Sequence, residues 1–351
     1  MIEKPGPTRI AVVGYGYWGA KHARVLNGMQ CVDVVVVDSD RARLASAVAD
    51  IPGVAVAESL EKVLPRVDGV VVATPPTAHH PVALRALRAG RHVLVEKPMA
   101  VSVVEACEMV GAAERAGVHL MVGHTFEFNA GVWKLKHLIN AGDLGKVLYI
   151  DSARLNLGLY RSDVDVIWDL APHDISIVSY LLGELPSTVS VWSHGNFARQ
   201  QDDVAFLRLD FARTGVQAFI HVSWLDPCRV RRVTVVGDRK MASLNDLAGD
   251  DRVKIFDAGV EMAAAAEEDA DYHPVTYRTG TVALEPVEMR EPLLVQDSHF
   301  VECIRTGQAP RCDGRRGLDI VRVLAAADAA RVSNRAQHVP SASVEIDTAC
   351  A

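Results

Sequence analysis

No apolar run in this sequence approaches the ~20 residues that a helical membrane span needs, so no such span is expected. The N-terminus carries Glu3 and lacks an apolar segment of leader length before the first glycine loop, so no secretory signal is expected either. Basic charge is short. Lys and Arg number 37 against 44 Asp and Glu, and the formal net charge of −7 argues against a nucleic-acid partner. The one notable basic cluster, Arg229, Arg231 and Arg232, reads as the wet face of a strand. The six cysteines (Cys31, Cys107, Cys228, Cys303, Cys312 and Cys350) are scattered without a close pair of metal-ligand spacing. That pattern points to reduced thiols in a cytoplasmic protein and to no metal centre. What is present is ordinary for a soluble globular chain of one or two domains: 351 residues, 49% hydrophobic and 23% charged.

Residues 9–13 form a β-rich run that leads at once into Gly14-Tyr15-Gly16-Tyr17-Trp18-Gly19 and then a helical stretch to about Asn27. This is the order of the dinucleotide fingerprint. Gly14 makes the tight turn, Gly16 lets backbone approach a pyrophosphate, and Gly19 lets the helix pack on the strand. Tyr17 and Trp18 join them in the cofactor pocket, with phosphate on the free N–H groups of the helix start. A second strand, residues 34–37, ends in Asp38, roughly 20 residues past the loop, where the ribose-binding acid belongs. A carboxylate there favours NAD over NADP, although Arg41 and Arg43 nearby leave NADP possible.

The strand–helix rhythm continues with a weak strand at 54–56, a short helix at 59–64 capped by Ser59, and a buried strand at 69–73. That strand closes in Thr74-Pro75-Pro76, at the sheet edge where Thr74 and Pro75 would meet the cofactor. His79 and His80 open a helix to about Ala89; His79 either lines the nicotinamide pocket or simply packs. The segment His92-Val93-Leu94-Val95-Glu96-Lys97-Pro98 is a buried strand ending in a charged pair. Pro98 keeps Lys97 out of the helical region, so its ammonium projects from the carboxyl end of the sheet, where ligands bind. Partly desolvated, it can exchange a proton with a substrate oxygen. Ser102 and Glu105 make a capping box for a helix to about Ala116, and 119–122 is one more strand. The alternation predicts a doubly wound parallel sheet over about residues 8–123.

Beyond Gly123 the pattern changes. Residues 131–140 have helical spacing, 146–156 alternate like a strand, and 175–182 are helical. Alternating runs at 188–192, 204–211, 216–224 and 230–236 predict an antiparallel sheet. Helices at about 296–305 and 315–333 follow, the second packing back on other elements. Residues 257–292 read as loops and short strands, and the tail after Ala336 is not readable. The chemically loaded segment is Trp168-Asp169-Leu170-Ala171-Pro172-His173-Asp174, in which Pro172 suits a helix start. Four positions apart, Asp169 and His173 can share one side of a cleft, the carboxylate orienting an imidazole that works as acid or base. An N-cap aspartate beside a helix-start histidine is the plainer reading. Arg154, Asn156, Tyr160 and Arg161 offer polar groups suited to a substrate wall.

The combination of the glycine loop, Thr74-Pro75-Pro76 with His79, Glu96-Lys97-Pro98, and Asp169 with His173 resembles the glucose–fructose oxidoreductase / inositol dehydrogenase / rhizopine catabolism (Gfo/Idh/MocA) oxidoreductases. The resemblance runs from Arg9 to about Val332. The resemblance implies an α/β chain: a Rossmann domain over residues 1–124 and a C-terminal α+β domain over 125–351 with a large open, mainly antiparallel sheet. Such sheets often serve oligomerisation, so a homo-oligomer (dimer or tetramer) is implied. It further implies hydride transfer between NAD and a carbohydrate or cyclitol hydroxyl or ketone, with Lys97, Asp169 and His173 catalytic and Glu96 and Lys97 also at the cofactor. Many members carry a glycine within the Asp-x-x-x-His stretch, where this chain has Leu170-Ala171-Pro172. Together with Gly123-His124-Thr125-Phe126 and Leu155-Asn156-Leu157-Gly158, that wording is similar to the branch acting on nucleotide-linked sugars, at the 3-position. It places His124 with Arg154, Asn156 and Tyr160 at the substrate. A free-sugar or inositol dehydrogenase is the alternative, and a non-catalytic NAD-binding regulator the rival of another class.

Overall fold

Short Val-rich runs between glycine turns build the first sheet. In the computed structural model, which describes residues 6–158, 160–161, 163–197, 201–262 and 275–340, they are β1 (Thr8–Val13), β2 (Val32–Val37), β3 (Ala55–Ala57), β4 (Gly69–Val72), β5 (His92–Val95) and β6 (Leu120–Val122). All pair in parallel, in the order β3-β2-β1-β4-β5-β6. Helices α1 (Tyr17–Asn27), α2 (Arg41–Asp50), α3 (Pro76–Arg88) and α4 (Val103–Ala116) cover both faces. On β4, Val70 and Val72 enter one core cluster and Val71 the other, which is why the run is apolar throughout. The strand order reverses between β1 and β4, so the crevice for a ligand opens beyond their carboxyl ends.

The remaining elements are α5 (Ala130–Asn140), β7 (Val147–Leu157), α6 (Val166–Leu182), β8 (Thr188–His194), β9 (Val204–Asp210), β10 (Gln217–Ser223), β11 (Leu225–Gly237), β12 (Met241–Asn245), β13 (Val253–Met262), β14 (Val275–Glu285), α7 (Pro292–Thr306), α8 (Gly314–Ser333) and β15 (Gln337–His338). The second sheet has the order β14-β13-β12-β11-β7-β10-β9-β8-β15. It is antiparallel except between β7 and β10. Period-2 alternation explains its layering: Ala205, Leu207 and Leu209 of β9 are buried while Phe206 is exposed. Helix α6 packs on the buried face against β7, β9 and β10. Helices α7 and α8 return to the first sheet, on α1 and on α4 with β6 respectively. The segment between them runs along the free edge of β6, where the N–H of Val122 donates to the Cys312 carbonyl at 2.8 Å. Among the described residues, no helix is long and apolar enough to cross a membrane.

Four local expectations are corrected. Helix α6 begins at Val166, not near Pro172: Asp165 is the N-cap, accepting from the N–H of Trp168, and Pro172 sits inside the helix at the cost of one backbone hydrogen bond. Helix α3 begins at Pro76, which puts His79 in its first turn. The helix expected at 59–64 is two 3-10 turns, Leu60–Lys62 and Leu64–Arg66. Pro65 lacks the N–H to continue it, and the Ser59 hydroxyl donates to Glu61 instead of capping. Within 257–292, β13 and β14 form a long hairpin in place of loops. Strand β14 is largely exposed on both faces and the hairpin's register shifts between Phe256 and Ala258, so no alternation marks this segment.

Candidate active site

The glycine loop owes its shape to contacts no larger residue permits. Gly14 lies at φ +92°, and a Cβ on Gly19 would stand 1.7 Å from the Gly14 carbonyl oxygen. A Cβ on Gly16 would meet nothing within 4 Å, so that position faces open space. Helix α1 has no side-chain cap and no acid in its first turn, which leaves its N–H groups to a phosphate. The adjoining cavity, about 600 Å³, is lined by Gly14, Gly16, Tyr17, Trp18, Asp38, Thr74, Pro75, His79, Glu96 and Lys97. The buried Thr74 hydroxyl has no partner among the described residues, as expected of a group reserved for a ligand. These residues fit NAD.

Asp38 is nearly buried. Its carboxylate accepts from the N–H of Tyr15 at 2.7 Å and of Asp40 at 2.9 Å, with Arg43 at 3.7 Å. It braces the loop and lines the cofactor cavity. Asp38→Ala is expected to raise the Michaelis constant for NAD by about 10- to 100-fold, the worth of a charged hydrogen bond. Initial rates with NAD and NADP would check this; an unaltered constant would remove the ribose contact. His79 is buried between the Pro98 carbonyl (2.8 Å) and the Thr74 carbonyl (2.9 Å), bracing two loops at the cavity wall.

A second cavity, about 540 Å³, shares Trp18, Glu96 and Lys97 with the first. Lys97, whose peptide bond to Pro98 is cis, donates to the Asp169 carbonyl at 2.7 Å and to its carboxylate at 3.2 Å. His173, one turn further along α6, lines the same cavity and packs edge-on against Phe126, ring centres 5.0 Å apart. Its Nδ1 has no hydrogen-bond partner among the described residues. The Asp169 carboxylate therefore holds Lys97 and the Trp224 indole (3.2 Å), not the imidazole expected from spacing. A cation from another domain is the stronger partner for it. Burial, then the charges of Lys97 and Arg154, pushes the His173 pKa well below its ordinary value.

Glu96 turns away from a ligand role: one oxygen faces His22 at 3.0 Å and the other accepts the N–H of Lys97 at 3.1 Å. His22 is fully buried, with Asp297 at 2.9 Å on its other nitrogen. Although burial raises the Asp297 pKa, two ionised carboxylates facing both ring nitrogens take two N–H donors, hence an imidazolium. Burial opposes that charge, but Asp297 and Glu96 together push its pKa up to about 10. Its contribution to stability is complete below pH ~6.5 and lost as pH rises through about 10. The thermal midpoint should thus fall between pH 7 and 10, and fall less in His22→Gln; equal slopes would refute the imidazolium. Sequence reading missed His22 and Asp297, which lie 275 positions apart.

On the wall, Asn156 lines the cavity, and Arg154 is buried against Asp174 (2.6 Å) with its guanidinium 4.2 Å from the Phe126 ring centre. Three expected wall residues are corrected. Tyr160 points its hydroxyl to Asp203 at 2.7 Å and packs on Trp224, outside the cavity lining. His124 is buried with both nitrogens unpartnered among the described residues, its pKa pushed down to about 3 by burial, and lines neither cavity. Arg161 lines the cofactor cavity, bonded to Asp163. The basic cluster is corrected too. Strand alternation turns Arg229 and Arg231 into the cavity and Arg232 to the other face, on Asp151 at 2.7 Å. Arg252, Asp246 and residues 289–293 complete the wall.

The parallel sheet, its glycine-loop crevice and the charged cavity beside it define a two-domain dinucleotide-binding protein. Residues 8–124 match the oxidoreductase family with an NAD-binding Rossmann fold, and residues 132–243 match the GFO/IDH/MocA C-terminal domain. The chain belongs to the Gfo/Idh/MocA family. It is 33% identical over 224 residues to an uncharacterized oxidoreductase of Streptococcus pneumoniae, a match covering 58% of this chain and 59% of the relative. It is 28% identical over 329 residues to the UDP-N-acetylglucosamine 3-dehydrogenase of Acidithiobacillus ferrooxidans, covering 93% of this chain and 96% of that protein. The aldose-aldose oxidoreductase of Caulobacter crescentus, complexed with glycerol, shares the fold at a TM-score of 0.77 and 22% identity, covering 95% and 99% of the two chains.

Proposed function

We propose that this protein transfers hydride between NAD and a secondary hydroxyl or ketone of a carbohydrate, a nucleotide-linked sugar reacting at its 3-position. The observation that carries the reading is the meeting of Lys97 and His173 at one cavity that opens onto the cofactor crevice. NAD, when bound, supplies the hydride acceptor or donor. In oxidation, His173, held neutral by burial, takes the hydroxyl proton. Lys97, positioned by Asp169 at 3.2 Å, hydrogen-bonds the reacting oxygen and stabilises its developing negative charge. In reduction, His173 or Lys97 returns a proton to that oxygen. Asp169 positions Lys97.

The match along nearly the whole UDP-N-acetylglucosamine 3-dehydrogenase supports the nucleotide-linked substrate. A regulator that only binds NAD has no use for the paired amine and imidazole. The open face of the second sheet, with exposed Trp192, Phe206 and Phe219, supports a homo-oligomer through that face. Free thiols at Cys31, Cys228, Cys303 and Cys312 suit the cytoplasm. The test is absorbance at 340 nm over nucleotide sugars and free polyols with NAD and NADP. Oxidation of nucleotide sugars first is expected; activity on free sugars or inositol alone would move the substrate, and none at all would leave a binding protein.

A further inference from the structure

The cavity above His173 holds more positive charge than its described neighbours neutralise. Some cations there are matched: Lys97 by Asp169 and Arg154 by Asp174. The carboxylates Glu96 and Glu291, at the floor and rim, are taken by His22 and Arg24. Arg231 and Arg252 then share a single carboxylate, Asp246, at 3.5 and 3.6 Å, and Asn129 draws on that same group at 2.8 Å. Arg229 and Lys21 line the cavity with no carboxylate partner among the described residues. Four cations thus face one carboxylate, in a chain whose net charge is −7. Burial, with Arg154 and Arg229 close by, also lowers the Arg231 pKa, the mark of a guanidinium short of counter-charge.

A neutral polyol gives no reason for that surplus. Guanidiniums only donate, and their planar forks match the oxygen pairs of a phosphate. We propose that Arg229, Arg231 and Arg252 form a subsite for the diphosphate of a nucleoside-diphosphate sugar, set so that the sugar ring reaches Lys97 and His173. A diphosphate diester brings two negative charges, against one from a sugar carboxylate, and so answers more of the surplus. The nucleotide would lie toward the rim at residues 289–293, with the sugar inward. The subsite rests on the hydride-transfer reading only for what happens at the sugar; the anion site can be read without turnover.

The experiment is calorimetric titration of the NADH-loaded protein with UDP, uridine and glucuronate, repeated in Arg231→Gln and in the exposed-site variant Arg229→Ala. UDP is expected to bind at least about 10-fold tighter than uridine, and Arg231→Gln to weaken it by about 10- to 100-fold. Arg229→Ala, whose side chain is exposed, should show a smaller loss in a folded protein. Equal binding of uridine and UDP, tighter binding of glucuronate, or UDP affinity untouched in both variants would overturn the subsite. UDP binding that obeys the arginines while no carbohydrate is oxidised supports the subsite and removes the hydride reading instead.

Discussion

Lys97→Ala is expected to lower turnover by ~10²–10⁴-fold, the combined scale of proton-transfer help and oxyanion stabilisation by one positioned group. The ammonium is nearly buried and fixed by the Asp169 carbonyl and carboxylate, so its charge is already in place when charge develops on the substrate oxygen. Such an interaction is strongest in the transition state, and the loss should therefore fall on kcat more than on KM. NADH should still bind, because the glycine loop and Asp38 make their contacts elsewhere in the crevice. Stopped-flow single turnovers with an oxidisable sugar, beside NADH fluorescence titration, separate the two. Near-normal turnover in Lys97→Ala would remove the amine from the chemistry and leave a regulator as the better reading.

The second large effect is at His173. Its replacement by alanine should cost ~10²–10⁴-fold in kcat for oxidation, and the pH profile should carry its signature. A general base works only when unprotonated. Because burial and the neighbouring cations depress the His173 pKa, kcat/KM should hold to below the ordinary imidazole value before falling on the acid side. In His173→Ala that acid limb should vanish along with most of the rate. A limb that persists unchanged in the variant would assign it to another group and take His173 out of the mechanism.

Much of the N-terminal half was legible because its signals are local. A Val-rich run, three glycines and Asp38 lie within about one strand–helix–strand unit, and each acts on backbone a few residues away. Period-2 alternation likewise marked β9 to β11, since one wet face and one buried face leave a pattern. It failed for the β13–β14 hairpin, where β14 is largely exposed on both faces and the register shifts, and at Pro172, where packing along α6 outweighs the proline's own preference. Spacing put Asp169 and His173 on one side of a cleft but misassigned the partner of the carboxylate. That partner, Lys97, comes from another sheet.

By itself, then, the amino-acid order determined the strand–helix alternation of the first sheet, that a dinucleotide crevice follows β1, and that an amine stands at the end of β5. Tertiary structure alone decided what those groups face: Asp169 against Lys97, His22 between Asp297 and Glu96, Tyr160 withdrawn to Asp203, and Arg229 and Arg231 turned inward. The division has a physical origin. Hydrogen bonding and burial periodicity act over one or two turns of chain, whereas charges choose partners by distance and desolvation in space, across separations the sequence does not encode in any local pattern.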